Sequence, residues 1–168
     1  VSFVDFGVSM LSLADLPIPG YYHGIPFLGK QKDSSRKYVF AARDRLDRNY
    51  DMVRSVRDKR YKYIRNFNTE TSCYLNVEYR LQLDMMRKML AMHENGKLNE
   101  MQELWFRDTK PQEELYDTWK DPHELVNLAV NPEYVSKINE MSTELIHWQE
   151  KYGDMGFIKE YNLFHYFW

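Results

Sequence analysis

The sequence predicts an α/β chain in which a small antiparallel sheet is packed by helices. Three observations carry that expectation. Residues 51–67, DMVRSVRDKRYKYIRNF, read as two short strands joined by the polar turn Arg57-Asp58-Lys59-Arg60, because brief alternating runs rich in β-branched and aromatic residues around a polar turn mark a hairpin. Residues 37–42, KYVFAA, and 113–117, EELYD, offer two more strands. Residues 131–153 open on Asn131-Pro132-Glu133, a cap, a proline at the first position and an acid near the positive dipole end. An apolar stripe of Tyr134, Val135, Ile138, Met141, Leu145, Trp148 and Tyr152 then runs to Gly153 at helical spacing, and this helix is expected to lie across the sheet. In the hairpin, Tyr61, Tyr63 and Phe67 share one face, and Lys62, Ile64 and Asn66 the other. Apolar character on both faces predicts cover on each side, with Tyr63 and Ile64 buried and the turn exposed.

The remaining elements follow in chain order. Residues 2–15 read as a helix opened by a capping box, the Ser2 hydroxyl and the Asp5 carboxylate three residues on. Phe3, Phe6, Met10 and Leu13, widened by Leu11 and Ala14, form the stripe expected to face a core. Leu16-Pro17-Ile18-Pro19-Gly20 stops it, since proline lacks an amide and biases its predecessor away from helix. Residues 21–35 are loop, with Gly24 and Gly29 free to take positive φ, and His23 there is read as neither ligand nor catalyst. Residues 43–48, RDRLDR, read as a charged loop before the hairpin.

Residues 78–94 predict one long helix ended by Asn95-Gly96, and residues 98–106 a second, with Leu98, Met101, Leu104 and Trp105 inward. Met85, Met86, Met89 and Met92 are read as core filling rather than metal ligands, thioethers being suited to irregular packing. His93 beside them is read as a helix-terminal base. Glu113-Glu114 reads as solvated surface. The tail, residues 156–168, holds Phe157, Tyr161, Phe164, Tyr166, Phe167 and Trp168; left bare it would be a sticky patch, so it is expected to pack on the body or on further protein.

Composition narrows the function classes. A length of 168 residues allows one domain with a real core, and 43% hydrophobic content with 15% aromatic is that of a globular chain. No apolar run is long enough to span a membrane. A single cysteine, Cys73, excludes an internal disulfide framework. The net charge of −2 hides an asymmetry: from Arg36 to Arg65 eleven basic residues meet four acids, a segment net of +7 that leaves −9 elsewhere. Such a segment is either a solvated sheet face or a seat for an anionic ligand. Phosphate-loop, CxxC, HExxH and nucleophile-elbow phrases are absent.

Three ordered phrases give a resemblance. VRSVRDKRYKYIRN resembles the C-terminal sheet of the sulfatases of the alkaline phosphatase superfamily. Upstream, VSFVDFGVSMLSLADLPIP resembles the family helix written S-x-V-D-x-x-P-T-x-L-x-L-A-G, with Val8 and Ser9 where the family has proline and threonine, and leads to Gly24 and Phe27-Leu28-Gly29. Downstream, EELYDTWKDPHELVNLAVNPEY resembles E-L-Y-D-L-x-x-D-P-x-E-x-x-N-L-A. The resemblance implies the C-terminal part of an alkaline-phosphatase-like α/β fold. It divides the chain into 1–35, a helix and loop from the end of a main domain; 36–155, a sheet-and-helix subdomain; and 156–168, an aromatic tail cut short.

The resemblance implies a parent enzyme, periplasmic or secreted, that hydrolyses a sulfate ester or sulfamate on a sulfated small molecule or glycan, using calcium and a formylglycine formed in a C/S-x-P-x-R phrase. Cys73 lies in Thr71-Ser72-Cys73-Tyr74-Leu75-Asn76, without that proline and arginine. No catalytic or metal residue, and no cofactor, is therefore assigned to this chain, which is expected to be inactive without the catalytic part preceding it. Nucleic acid is not an expected partner. Arg43-Asp44-Arg45 resembles the start of a family phrase, R-D-R-M-D-E, expected near the substrate cleft. Guanidinium forks can hold a sulfate and a carboxylate can accept from sugar hydroxyls, so Arg43, Asp44 and Arg45 are the candidate substrate-binding residues; the competing account is an ion-pair cluster that fixes a loop. Two further readings stay open: a non-catalytic module that binds an anionic polymer through the basic hairpin, and a structural remnant.

Overall fold

A computed structural model describes residues 1–34 and 36–158. Four antiparallel strands form one sheet in sequence order: β1 (Val39–Leu46), β2 (Asn49–Arg57), β3 (Tyr61–Asn66) and β4 (Glu113–Asp117). The described residues form five α-helices: α1 (Asp5–Leu13), α2 (Glu78–Leu81), α3 (Asp84–Glu94), α4 (Glu100–Glu103) and α5 (Val135–Tyr152). The fold class is the one the sequence predicts. The expected helix over 78–94 is broken at Gln82-Leu83 into α2 and α3, and that over 98–106 shortens to α4.

The strand register assigns every side chain to a face. Phe40, Val56, Tyr63 and Leu115 stand in one row and share a face. α5 covers it, and Val56, Tyr63, Leu115, Met141, Leu145 and Tyr38 make the buried core. Asn131 accepts from the Glu133 amide and the proline follows it, as the sequence predicts; the chain then makes a short 3-10 turn before α5 runs to Gly153, whose φ of 61° closes the helix. The neighbouring row, Ser55, Ile64 and Glu114, faces away from α5. Tyr63 is buried as expected, but Ile64 is only half-buried, because the opposite face is covered by loops and the short helices of residues 74–110 rather than by a continuous apolar layer.

The ELYD–DP–NLA phrase holds this core together. Asp117 takes Arg60 in a two-oxygen ion pair, with Nη2 at 2.6 Å from Oδ2. Asp121 accepts from the amides of Leu125 and Val126 at 2.7 and 2.8 Å. Asn127 ties the following turn to β4: its Oδ1 accepts from Leu115 N at 3.0 Å and its Nδ2 donates to the Glu113 carbonyl at 3.1 Å. In the hairpin turn, Asp58 accepts from the amides of Arg60 and Tyr61 and pairs with Lys137 of α5 at 3.0 Å, so only Arg57 and Lys59 are truly exposed there.

The N-terminal helix reverses its expectation. Its buried side chains are Asp5, Val8, Ser9 and Ser12, while Phe3, Phe6, Met10 and Leu13 are exposed. Asp5 accepts from the amides of Ser2 and Ile25 at 2.6 and 2.9 Å and pairs with Arg36. Ser9 Oγ accepts from Phe27 N and Ser12 Oγ from Gln31 N. The loop after the helix thus lies on its polar face, because its backbone amides need acceptors. Only the Asp5 half of the capping box forms, and no side chain caps the helix. Gly24 and Gly29 sit where a Cβ would overlap Val4 and Ser12, and Gly29 has a φ of 83°.

Met86 is buried in α3 and Met85 is exposed. His93 bonds Glu103 through Nδ1 at 2.7 Å and stacks on Phe106. Of the aromatic tail, Phe157 meets Phe67 edge-on; Tyr161, Phe164, Tyr166, Phe167 and Trp168 lie outside the described residues. No helix among the described residues is long and apolar enough to cross a membrane.

Candidate functional site

Of the charged run 43–48 only Asp47-Arg48 is a turn. β1 continues through it to Leu46 and pairs with β2, with Arg43 opposite Val53 and Arg45 opposite Tyr50. Asp51 and Met52 together oppose Asp44 alone, a bulge that turns both of these consecutive residues inward, each with no exposure. The extended strand is held where Arg43 pairs with Asp51 and Asp44 with Arg54, both partners on β2.

Arg43 and Asp44 are thereby parted onto opposite faces. Arg43 faces away from α5 and pairs with Asp51, which also holds the buried Lys110. Asp44 lies on the α5 side, 2.7 Å from Arg54 Nη2. Arg54 is 1% exposed and fully engaged: Nε and Nη2 bind Asp154 bidentately, both at 2.7 Å, and Nη1 donates to the carbonyls of Arg43 and Val53 at 3.0 Å. The Arg54 bonds hold the Asp154 carboxyl down at about 2 against the opposing pull of burial. For Arg54, burial favours the neutral form, but the bonds to Asp154 and Asp44 outweigh it and raise its pKa. Arg45 enters the β1–β2 ladder opposite Tyr50.

On the Arg43 side the sheet opens on a cavity of about 550 Å³, lined by Arg43, Ile64, Asn66, Trp105, Arg107 and His123 among others. Arg107 donates to Cys73 Sγ at 3.3 Å and reaches Glu114 at 3.4 Å. Its guanidinium pKa is lowered by burial but raised overall, by the Cys73 bond first. The Nε–H groups of Arg43 and Arg107 are buried and have no hydrogen-bond partner among the described residues. Arg43 and Arg107 thus bring two guanidinium groups to the lining of one cavity, the group whose planar fork suits an oxyanion.

The sequence did not flag Asp51, Arg107, Lys110 or Glu114. Glu114, expected as surface, is buried; it accepts from Asn66 Nδ2 at 2.6 Å and from Tyr116 Oη. Burial and the Glu114 bond both raise the Tyr116 pKa.

Among the described residues no group of three or more His, Cys, Asp or Glu side chains is placed to hold a metal ion. Cys73 packs beside Arg107 in a phrase that lacks the formylglycine pattern. The residues described fit neither calcium nor formylglycine.

No family model matches the chain. All 168 residues align at 45% identity with an ulvan-active sulfatase of Formosa agariphila, spanning 28% of that protein's length. This chain belongs to the sulfatase family. A human N-sulphoglucosamine sulphohydrolase aligns over 100 residues at 24% identity, covering 58% of the chain and 19% of the human protein. Among solved structures, a sulfatase from Bacteroides thetaiotaomicron superposes with a TM-score of 0.57 at 23% identity, over 89% of the chain and 25% of that protein. A 2-O GAG sulfatase superposes with the same score at 24% identity, again over 89% of the chain and 25% of the other. These superpositions establish an α/β sulfatase fold for the four-stranded sheet and its helices. The chain spans about a quarter of the length of the sulfatases it matches.

Proposed function

We propose that this chain is the C-terminal portion of a sulfatase that hydrolyses sulfate esters or sulfamates of a sulfated glycan, and that it contributes substrate contacts rather than the nucleophile. The observation that carries the reading is the 45% identity over every residue of the chain with an ulvan-active sulfatase. The exposed apolar stripe of α1 supports it: Phe3, Phe6, Met10 and Leu13 are all more than half exposed, an arrangement suited to docking on the main domain of a longer protein. Residues 1–35 would then be the end of that domain, 36–155 the C-terminal subdomain, and 156–168 a tail. Calcium and formylglycine would belong to the part of the protein outside this chain.

Of Arg43-Asp44-Arg45, Arg43 has the geometry of a substrate contact. It lines the cavity with its side chain partly exposed, whereas Asp44 is committed to Arg54 though its carboxyl is half-exposed. In the full-length enzyme, Arg43→Ala is expected to lower kcat/KM for a sulfated oligosaccharide about tenfold or more, with a much smaller loss on a small aryl sulfate. Equal losses on both substrates that track a fall in melting temperature would assign Arg43 to the Asp51–Lys110 cluster alone.

A further inference from the structure

A second concave surface lies on the α5 side of the molecule, between the ends of α1, β1 and α5. It is a groove of about 430 Å³. Four rings run along it. Phe40 and Trp148 are stacked at 5.3 Å with 8° between their planes, Trp148 meets Tyr152 at 6.0 Å, and Tyr152 meets His23 at 5.0 Å. Around these rings stand Arg36, Lys37, Lys151 and His147, with Glu144 as the one carboxylate of the lining.

The cations differ in what they already hold. Arg36 is committed to Asp5. Lys37 reaches Glu140 at 3.0 Å, yet its side chain is 71% exposed. Lys151 lies over the Tyr152 ring at 5.4 Å, and neither it nor His147 forms an ion pair among the described residues. Charge and shape point to the same occupant. An aromatic cluster whose outer member, Tyr152, is 41% exposed offers an apolar seat for pyranose rings, and flanking ammonium and imidazole groups accept the anionic substituents that project from their edges.

We propose that this groove binds a stretch of sulfated glycan chain, with Trp148 and Tyr152 as the stacking platform and Lys37 and Lys151 as the sulfate contacts. The inference rests on the sulfatase reading above and deepens it, adding a polymer-holding subsite to the residues near Arg43. Nucleic acid would also find rings and cations here, and the remainder of the protein could cover the groove; both are alternatives the experiment separates.

The test uses the full-length protein and an ulvan octasaccharide, its desulfated counterpart and a single-stranded oligonucleotide as probes in calorimetry. Lys151→Gln and the double variant Lys37→Gln/Lys151→Gln are expected to raise the octasaccharide Kd about fivefold and about twentyfold, leaving kcat/KM on a small aryl sulfate within twofold of wild type. The desulfated chain should bind at least about tenfold more weakly than the sulfated one. Unchanged octasaccharide affinity in the double variant, equal binding of the desulfated chain, or tighter binding of the oligonucleotide would overturn the proposal. Absence of aryl sulfate turnover by the wild-type protein would instead overturn the enzymatic reading, whatever the binding result.

Discussion

Asp154→Ala should be among the most damaging single changes on the α5 side of the sheet, although Asp154 lies just beyond the end of that helix. Its carboxylate takes two of the guanidinium bonds of Arg54, each 2.7 Å long, and Arg54 has 1% of its side chain exposed. Removing one partner of a buried ion pair costs about 3–5 kcal/mol, because the remaining charge stays in a poor solvent. Asp44 still touches Arg54 from its half-exposed position, so the loss should fall near the lower limit, about 3 kcal/mol. Asp44→Ala should cost only about 1 kcal/mol, the upper range for an exposed pair. Native-state hydrogen exchange of the β1 and β2 amides reads this sheet separately from any other part of a longer protein.

The same pair sets a pH dependence. The Asp154 carboxyl is held at about 2 when folded, below the ordinary value of about 3.9. A depressed folded pKa means that the stabilisation is complete above the ordinary value and is lost as pH falls from about 4 toward about 2. Asp154→Ala should remove that portion of the acid slope. A cost below about 0.5 kcal/mol for Asp154→Ala, or equal costs for Asp154→Ala and Asp44→Ala, would refute the assignment of Asp154 as the principal partner of Arg54.

Two further perturbations follow from the packing. Leu115→Ala, at a position with no exposure in the centre of the core, should cost about 2–5 kcal/mol, while Ile64→Ala, half-buried at the cavity edge, should cost about 1 kcal/mol; equal losses by denaturant titration would contradict the two-faced sheet. Gly24→Ala drives a Cβ into Val4 and Val8 and should cost about 1–3 kcal/mol, speeding exchange of the Ile25, Phe27 and Gln31 amides, which are bonded to α1; unchanged exchange would show that the loop does not clamp the helix.

Much of the fold is legible in the sequence because local signals and burial agree there. The β2–β3 hairpin, β4 and α5 each combine periodicity with turn or cap chemistry, and each forms where those signals place it. The failures share one cause, polar groups that find partners only in three dimensions. Hydrophobicity alone turns the α1 stripe inward, yet Asp5, Ser9 and Ser12 are buried because the amides of Ile25, Phe27 and Gln31 come to them. Residues 43–46 read as too charged for a strand, but the pairs of Arg43 with Asp51 and Asp44 with Arg54 hold them in one. Glu114 looked solvated until Asn66 and Tyr116 were brought beside it. As for the site, position in the motif located Arg43, but alternation along a strand separates it from Asp44, and the distant Arg107 and Lys110 carried no local signature.

The measurement that bears most directly on the central claim is release of inorganic sulfate from a sulfated oligosaccharide, assayed in parallel for the full-length protein and for the 168-residue chain alone. The account predicts sulfate release by the full-length protein and none by the chain, whose described residues offer neither the nucleophile pattern nor a cluster for a metal ion. Release by the isolated chain, or no release from ester or sulfamate by a folded full-length protein, would contradict it.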